Sequence, residues 1–408
     1  MFKKIFSIIV LISISFGLLF AQDGQRRGMQ QMNKPKFVFL FIGDGMGLSQ
    51  ISMAEAYLST LKGEISNEPL SFTKFPVMGM STTYSANSYI TCSSAAGTAL
   101  STGFKTNNGV LGLDPDGNKL RSISYDIHNA GFAVGIASNT TIDHATPAAF
   151  YASSSSRNNY YEIAVQIPAT NFEFFGGGGF LQPNGPDNDQ KNIYSVLEDG
   201  GYKIARGINE FMTIKGSGKV AFFQEKGKEA DLPYAIDRSE NDLTLKHVVA
   251  AAIEHLYGTK GFFLMTEGGK IDWAGHSNDG KTNILEVLDF ADAISVAYEF
   301  YKKFPTETLI IVTADHETGG MSLGDEKGYV LNLGALEPQK KSLATDKESA
   351  EKIEELNEKA KIGWTTSSHT GVAVPVYSIG AGSRMFSGRM DNTDIPKKIL
   401  EVMGITKK

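Results

Sequence analysis

The stretch Lys36-Phe37-Val38-Phe39-Leu40-Phe41-Ile42 is apolar at every position after its lysine, and it breaks abruptly into Gly43-Asp44-Gly45-Met46-Gly47. A run apolar on both faces predicts a strand buried in the middle of a parallel sheet, because an alternating pattern would leave one face wet. Similar short runs recur at Phe132–Ala137, Phe262–Met265, Leu309–Val312 and Val374–Ile379. Helical patterns lie between them, such as Leu243–Tyr257 and Asn283–Tyr301. Alternation of this kind predicts an α/β fold: a largely parallel central sheet flanked by helices on both faces, with surface insertions.

In such sheets ligands gather beyond the carboxyl ends of the strands. Here the runs end in ionisable residues. The first leads to Asp44, the run at 262–265 to Glu267, Asp272 and His276, and the run at 309–312 to Asp315 and His316. His369 lies in Ser367-Ser368-His369-Thr370-Gly371, before the run at 374–379. Asp272 and His276 are four apart, so a helical turn puts both on one face. Oxygen and nitrogen ligands without thiolate suit a catalytic zinc rather than a structural one. Of seven histidines, His144 is a fourth candidate; His128, His247 and His255 have no such company and read as ordinary helix or surface residues.

Two segments read as insertions. Residues 176–190 begin Gly176-Gly177-Gly178-Gly179 and continue rich in Pro, Asn and Asp, which predicts a loop. Residues 338–362 are charge-rich; Thr345-Asp346-Lys347-Glu348 resembles a capping box and predicts a solvated surface helix over 346–361. No internal repeat is evident.

The chain has 408 residues and 41% apolar content, enough for a substantial core. Its net charge of −6 argues against nucleic acid as a partner. A small anionic substrate stays open, because a metal cluster reverses the local field. Lys3 and Lys4, an apolar run from Ile5 to Phe20 and then Ala21 have signal-peptide anatomy over residues 1–21, although Leu19 fits the cleavage pattern poorly. Such a chain is exported, to the periplasm or beyond. An uncleaved anchor is the alternative, with a run short for a span of about 20 residues. Residues 22–35 read as a polar lead-in and 36–408 as one catalytic domain. Loss of Lys3 and Lys4 takes the charge from −6 to −8. Cys92 is the single cysteine, so no intramolecular disulfide forms.

Taken singly these clusters are common; their order and spacing together resemble the alkaline phosphatase family from about Lys36 onward. Gly43–Gly47 resembles that family's first metal motif, and Thr91-Cys92-Ser93-Ser94-Ala95-Ala96-Gly97-Thr98-Ala99 its nucleophile segment. His144-Ala145-Thr146-Pro147-Ala148 and Arg157 resemble its magnesium and phosphate-binding stretch. Glu267-Gly268-Gly269, Asp272-Trp273-Ala274-Gly275-His276, Thr313–Gly320 and His369-Thr370-Gly371 complete the set.

The resemblance implies hydrolysis of small phosphate monoesters through a phosphoserine, two zinc ions, one magnesium ion and a homodimer. It assigns Asp272, His276 and His369 to one zinc. The other takes Asp44, Asp315 and His316, with Ser93 joining when deprotonated. Asp44 would bridge to magnesium, which Thr146 and Glu267 also hold, and Arg157 would grip two phosphate oxygens. Zinc lowers a serine's pKa without a histidine base, and paired metals serve both the entering and the leaving oxygen.

Three positions depart from the pattern. The family usually has Asp before its serine, where this chain has Cys92, read as inert packing or as a reactive thiol. Cysteine there also raises the sulfatases, but their motif needs Arg at position 96, which is Ala96. His144 and Trp273 stand where members vary, behind the ligands. Trp273 is open between that role and simple wall packing. A phosphodiesterase on the same scaffold and a phosphate-sequestering protein are the rival functions; the magnesium set argues against the first, Ser93 and Arg157 against the second.

Overall fold

Phe37, Phe39 and Phe41 face one side of strand β1 (Phe37–Gly43) and Val38, Leu40 and Ile42 the other, and each set joins a separate hydrophobic core. The twofold period of a strand makes this division. Every residue of β1 is buried, so both faces are covered, as the unbroken apolar run requires. Each large apolar side chain so buried contributes about 1.5–3 kcal/mol.

The computed structural model describes residues 34–407, apart from 217, 226, 228–229 and 325–328. The expected signal peptide and all but the end of the polar lead-in lie outside these. No helix among the described residues is long and apolar enough to cross a membrane.

In chain order the strands after β1 are β2 (Val77–Thr82), β3 (Ala133–Ser138), β4 (Phe174–Gly177), β5 (Tyr202–Arg206), β6 (Lys219–Phe223), β7 (Phe262–Gly268) and β8 (Thr308–Thr313). Four short strands follow: β9 (Glu317–Thr318), β10 (Met321–Leu323), β11 (Ile362–Trp364) and β12 (His369–Thr370). The last two are β13 (Val374–Gly380) and β14 (Gly388–Asp391). Ten strands form one sheet in the order β14-β2-β13-β8-β1-β7-β3-β4-β6-β5. β1 is central, parallel to β7 on one side and β8 on the other. Within this sheet β13 alone runs antiparallel to its neighbours, β2 and β8.

Helices Leu48–Leu61, Leu245–Leu256 and Gly280–Lys303 cover one face; Ile123–Asn129, Ile193–Asp199 and Asp394–Met403 cover the other. Local capping sets two of the starts. The Thr244 hydroxyl accepts from His247 N–H, and the Asp279 carboxylate from Thr282 N–H.

Both insertion segments differ from expectation. Gly176 and Gly177 belong to β4, not to a loop. A Cβ on Gly177 would lie 1.7 Å from the Ser138 carbonyl oxygen, so bare backbone is what lets β4 lie against β3 there. At 346–361 the α-helix starts only at Ala350, after a 3-10 turn over Lys347–Ser349. The Thr345 hydroxyl donates to Asp237 at 2.6 Å. This helix is amphipathic rather than solvated all round, since it buries Ile353, Leu356 and Ala360.

Candidate active site

Three parallel strands and one hairpin-like pair deliver the ionisable residues to one edge. β1 ends at Gly43 and turns through Asp44 and Gly45, whose φ is +73°. A Cβ on Gly45 would lie 2.8 Å from Asp272 Cα, so glycine is what allows the Asp44 turn to touch the Asp272 turn. β7 carries Glu267 and leads into helix Lys270–His276, which presents Asp272 and His276 together, Oδ2 to Nε2 3.4 Å. β8 ends into Asp315 and His316. His369 lies in β12, which pairs with β9, Thr370 opposite Glu317. Because β13 runs antiparallel, the residues before it reach the same edge as the residues after β8.

His276 Nε2 lies 3.1 Å from His369 Nε2, and His369 Nε2 lies 3.5 Å from Asp272 Oδ1. His276 Nδ1 faces the Ser367 carbonyl at 2.7 Å and His369 Nδ1 the Thr91 carbonyl at 2.8 Å. A carbonyl only accepts, so both protons are on Nδ1 and both Nε2 lone pairs point at one another. Two acceptors so close are repulsive unless a cation lies between. A tetrahedral zinc with ligands about 2.0–2.1 Å away has ligand atoms about 3.3 Å apart.

The same spacing recurs beside this pair. His316 Nε2 lies 3.3 Å from Asp44 Oδ1 and 3.2 Å from Asp315 Oδ2. Asp44, His144 and Glu267 form a further group whose ligand-type atoms lie within 4.8 Å of one another, and Thr146 Oγ1 is 3.3 Å from Asp44 Oδ2. Asp44 Oδ1, Asp315 Oδ2 and Glu267 Oε1 are buried without a hydrogen-bond partner among the described residues. Buried polar atoms rarely stay unpaired, so this donor set fits divalent cations.

Burial, then repulsion from Asp315, Asp272 and Glu267, pushes Asp44 well above the usual carboxylate range. Burial and Asp272 do the same to Asp315. His316 is held well below its ordinary value by burial and by His369, His276 and Arg157. Glu267 stays low although burial pushes it up, because His144 and the hydroxyls of Ser138 and Thr140 outweigh that. Cations among these carboxylates would relieve their repulsion and keep them ionised.

Ser93 is the first residue of helix Ser93–Thr102 and is buried, with Oγ 3.3 Å from His316 Nε2. Cys92 points elsewhere: its Sγ is 3.1 Å from Ser94 Oγ and accepts from Gly109 N–H at 3.1 Å. Arg157 is fixed by its backbone N–H to the Gly109 carbonyl at 2.8 Å, and its Nη2 is 3.2 Å from His144 Nε2. Since guanidinium only donates, His144 Nε2 accepts and Nδ1 carries the proton, facing Glu267 Oε1 at 3.7 Å. Trp273 packs edge-on against His144, with ring centroids 5.8 Å apart. Every residue singled out from the sequence thus falls in one cluster. His128 pairs with Glu173 and His255 sits between Gly216 and Gly218, both away from it.

Sequence reasoning missed the supporting residues. Glu317 is buried and accepts from Gln50 Nε2 at 2.6 Å and from the Thr370 hydroxyl, and so holds the strand pair that carries His369. The Thr318 hydroxyl donates to Asp272. Ser138, Asn139 and Thr140 surround Glu267. Glu317 and Thr318 adjoin His316 in sequence, which was a usable signal; Gln50 and Asn139 carried none.

A family model described as alkaline phosphatase matches residues 35–175 and 181–405. The chain is 32% identical to alkaline phosphatase 3 of Bacillus subtilis over 459 aligned positions, covering 98% of this chain and 97% of that one. Among solved structures, the cold-active alkaline phosphatase of a psychrophilic Shewanella sp. superposes with a TM-score of 0.81 at 29% identity, covering 90% of this chain and 99% of the other. The alkaline phosphatase of the Antarctic bacterium TAB5 superposes at 0.75 with 31% identity, over 92% and 100%. One of its histidine-to-aspartate variants was solved with magnesium bound in the site called M3, with a TM-score of 0.76. The match covers nearly all of the described residues, and the chain belongs to the alkaline phosphatase family, enzymes that hydrolyse phosphate monoesters.

Proposed function

We propose that this enzyme works by double displacement through a phosphoserine at Ser93, with two zinc ions and one magnesium ion. Asp272, His276 and His369 would hold one zinc, Asp44, Asp315 and His316 the other, and Asp44, Thr146 and Glu267 the magnesium. Bound there, the cations supply positive charge that ionises the Ser93 hydroxyl and a water at neutral to alkaline pH and offsets charge on the transferring phosphoryl group. The observation that carries the reading is the meeting of the His276 and His369 Nε2 lone pairs at 3.1 Å beside Asp272. Magnesium bound to the TAB5 variant supports a third site of this kind in the fold.

Ser93 Oγ attacks phosphorus, the bond to the ester oxygen breaks, and the alcohol leaves with a proton. Water then attacks the phosphoserine, which frees Ser93 and inorganic phosphate. Arg157 offers paired donors to two phosphate oxygens through both steps. Its contact with His144 keeps the guanidinium facing the cluster, so less freedom is lost when phosphate binds. These contacts address the phosphoryl group rather than the alcohol, which suits small phosphate monoesters in general. Export follows from residues 1–21, and a homodimer from the family resemblance.

Elemental analysis with initial rates on an aryl phosphate monoester and diester tests the reading. Two zinc and about one magnesium per chain with strong monoester preference is the expected result. Diester preference would move the chain to the phosphodiesterases, and stoichiometric phosphate capture without turnover would make it a binding protein.

A further inference from the structure

β3 and β7 end side by side, with Ser138 opposite Glu267 in the last register pair. Beyond that pair the chain wraps around Glu267 through Ser138, Asn139 and Thr140, all buried. The Ser138 hydroxyl donates to Glu267 Oε2, and the Thr140 hydroxyl donates to the same oxygen at 2.8 Å. Glu267 Oε1 is thereby left alone, without a hydrogen bond, on the side of Asp44 and His144.

Asn139 engages all four of its polar groups. Its backbone N–H donates to the Glu267 carbonyl at 3.4 Å, and its Oδ1 accepts from Gly269 N–H at 2.7 Å. These two bonds hold the backbone at Glu267 and at Gly269, on either side of Gly268. Its carbonyl accepts from Leu232 N–H at 2.9 Å, and its Nδ2 donates to Glu286 Oε2 at 3.3 Å. Glu286, buried in helix Gly280–Lys303, accepts from Ala235 N–H at 2.6 Å with its other oxygen. No atom of Asn139 touches Asp44, Thr146 or Arg157 in these bonds.

We propose that Asn139 is a positioning residue for the third cation site. Its clamp on the Glu267 and Gly269 backbone, oriented in turn by Glu286, fixes the carboxylate so that Oε1 alone is presented to the cation. The proposal rests on the magnesium reading given above. A carboxylate that must be ordered on binding gives weaker affinity than one already held in place.

Isothermal titration of MgCl2 into zinc-loaded, magnesium-free protein tests it, with zinc content measured in parallel. Asn139→Ala should weaken magnesium at least about tenfold while both zinc ions stay bound. Glu286→Gln is nearly isosteric, yet it turns one of two acceptors into a donor and sets it against either Asn139 Nδ2 or Ala235 N–H. It should weaken magnesium in the same direction, and the double variant should lose little more than Asn139→Ala alone. Should Asn139→Ala fail to fold, Glu286→Gln carries the test. Magnesium affinity within twofold of wild type in the variants would overturn the positioning role, as would equal loss of zinc and magnesium. Absence of a magnesium isotherm in the wild-type protein would instead overturn the three-cation reading itself.

Discussion

His276 and His369 present their Nε2 atoms to each other at 3.1 Å, with each ring turned by a backbone carbonyl at its other nitrogen. This geometry suits the zinc ion proposed between them. Strong chelation should therefore abolish phosphatase activity, and zinc should restore it better than magnesium alone. His369→Ala should bind one zinc fewer and lose at least about a hundredfold in turnover. Full activity in a sample shown by elemental analysis to be zinc-free would sink the two-zinc mechanism.

Ser93 faces His316, whereas Cys92 and Ser94 contact one another. Ser93→Ala should lose about three orders of magnitude in turnover, roughly 4 kcal/mol of barrier. Cys92→Ala and Ser94→Ala should lose far less, since neither is asked to bond to phosphorus. Some activity should survive in Ser93→Ala, because Arg157 and the cation sites still address a bound ester. Acid trapping and peptide mass spectrometry give the sharper answer. Phosphate on Ser93 is expected; phosphate on Cys92, Ser94 or Thr91 would refute the assignment.

His144 Nδ1 faces Glu267 Oε1 at 3.7 Å, beyond hydrogen-bonding distance. His144→Asp should tighten magnesium about tenfold, since a carboxylate is the harder neighbour. A magnesium titration followed by calorimetry reads this directly. An unchanged isotherm would place His144 outside the cation's influence.

Gly45 has no room for a methyl group, since its Cβ would meet Asp272 Cα and Thr318 Oγ1 at 2.8 Å each. Its φ of +73° adds strain for any other residue. Gly45→Ala should cost roughly 1–3 kcal/mol of stability and reduce zinc content at the same time. Wild-type melting temperature with full zinc in this variant would contradict the close approach of the two turns.

Glu286 is held at about 7, above its ordinary 4.5, by burial first and then by Asp289. Between those values the folded state binds more protons than the unfolded state, so this group's stabilising contribution is full below 4.5 and is lost as pH rises through about 7. Melting temperature should fall by a few degrees more in the wild type than in Glu286→Gln across that window. Parallel profiles for the two proteins would show that Glu286 titrates normally.

The sequence by itself determined the fold class and most of the site. An unbroken apolar run has to be covered on both faces, so Phe37–Ile42 announced the centre of a parallel sheet. Asp44, Glu267, Asp315 and His316 could be placed together because they follow strands that end at one edge. Asp272 and His276 could be paired because helical spacing is a local property. What only the tertiary structure decided is whatever depends on partners far apart in the chain. The antiparallel course of β13 brings His369 back to the β8 edge, and Gly177 is in a strand because Ser138 needs the space. The helix expected from Asp346 starts at Ala350, after a 3-10 turn, while the Thr345 hydroxyl reaches Asp237 far back in the chain. Asn139 grips Glu267 across 128 positions of sequence, for the polar groups of a buried turn must find acceptors and donors wherever packing happens to supply them.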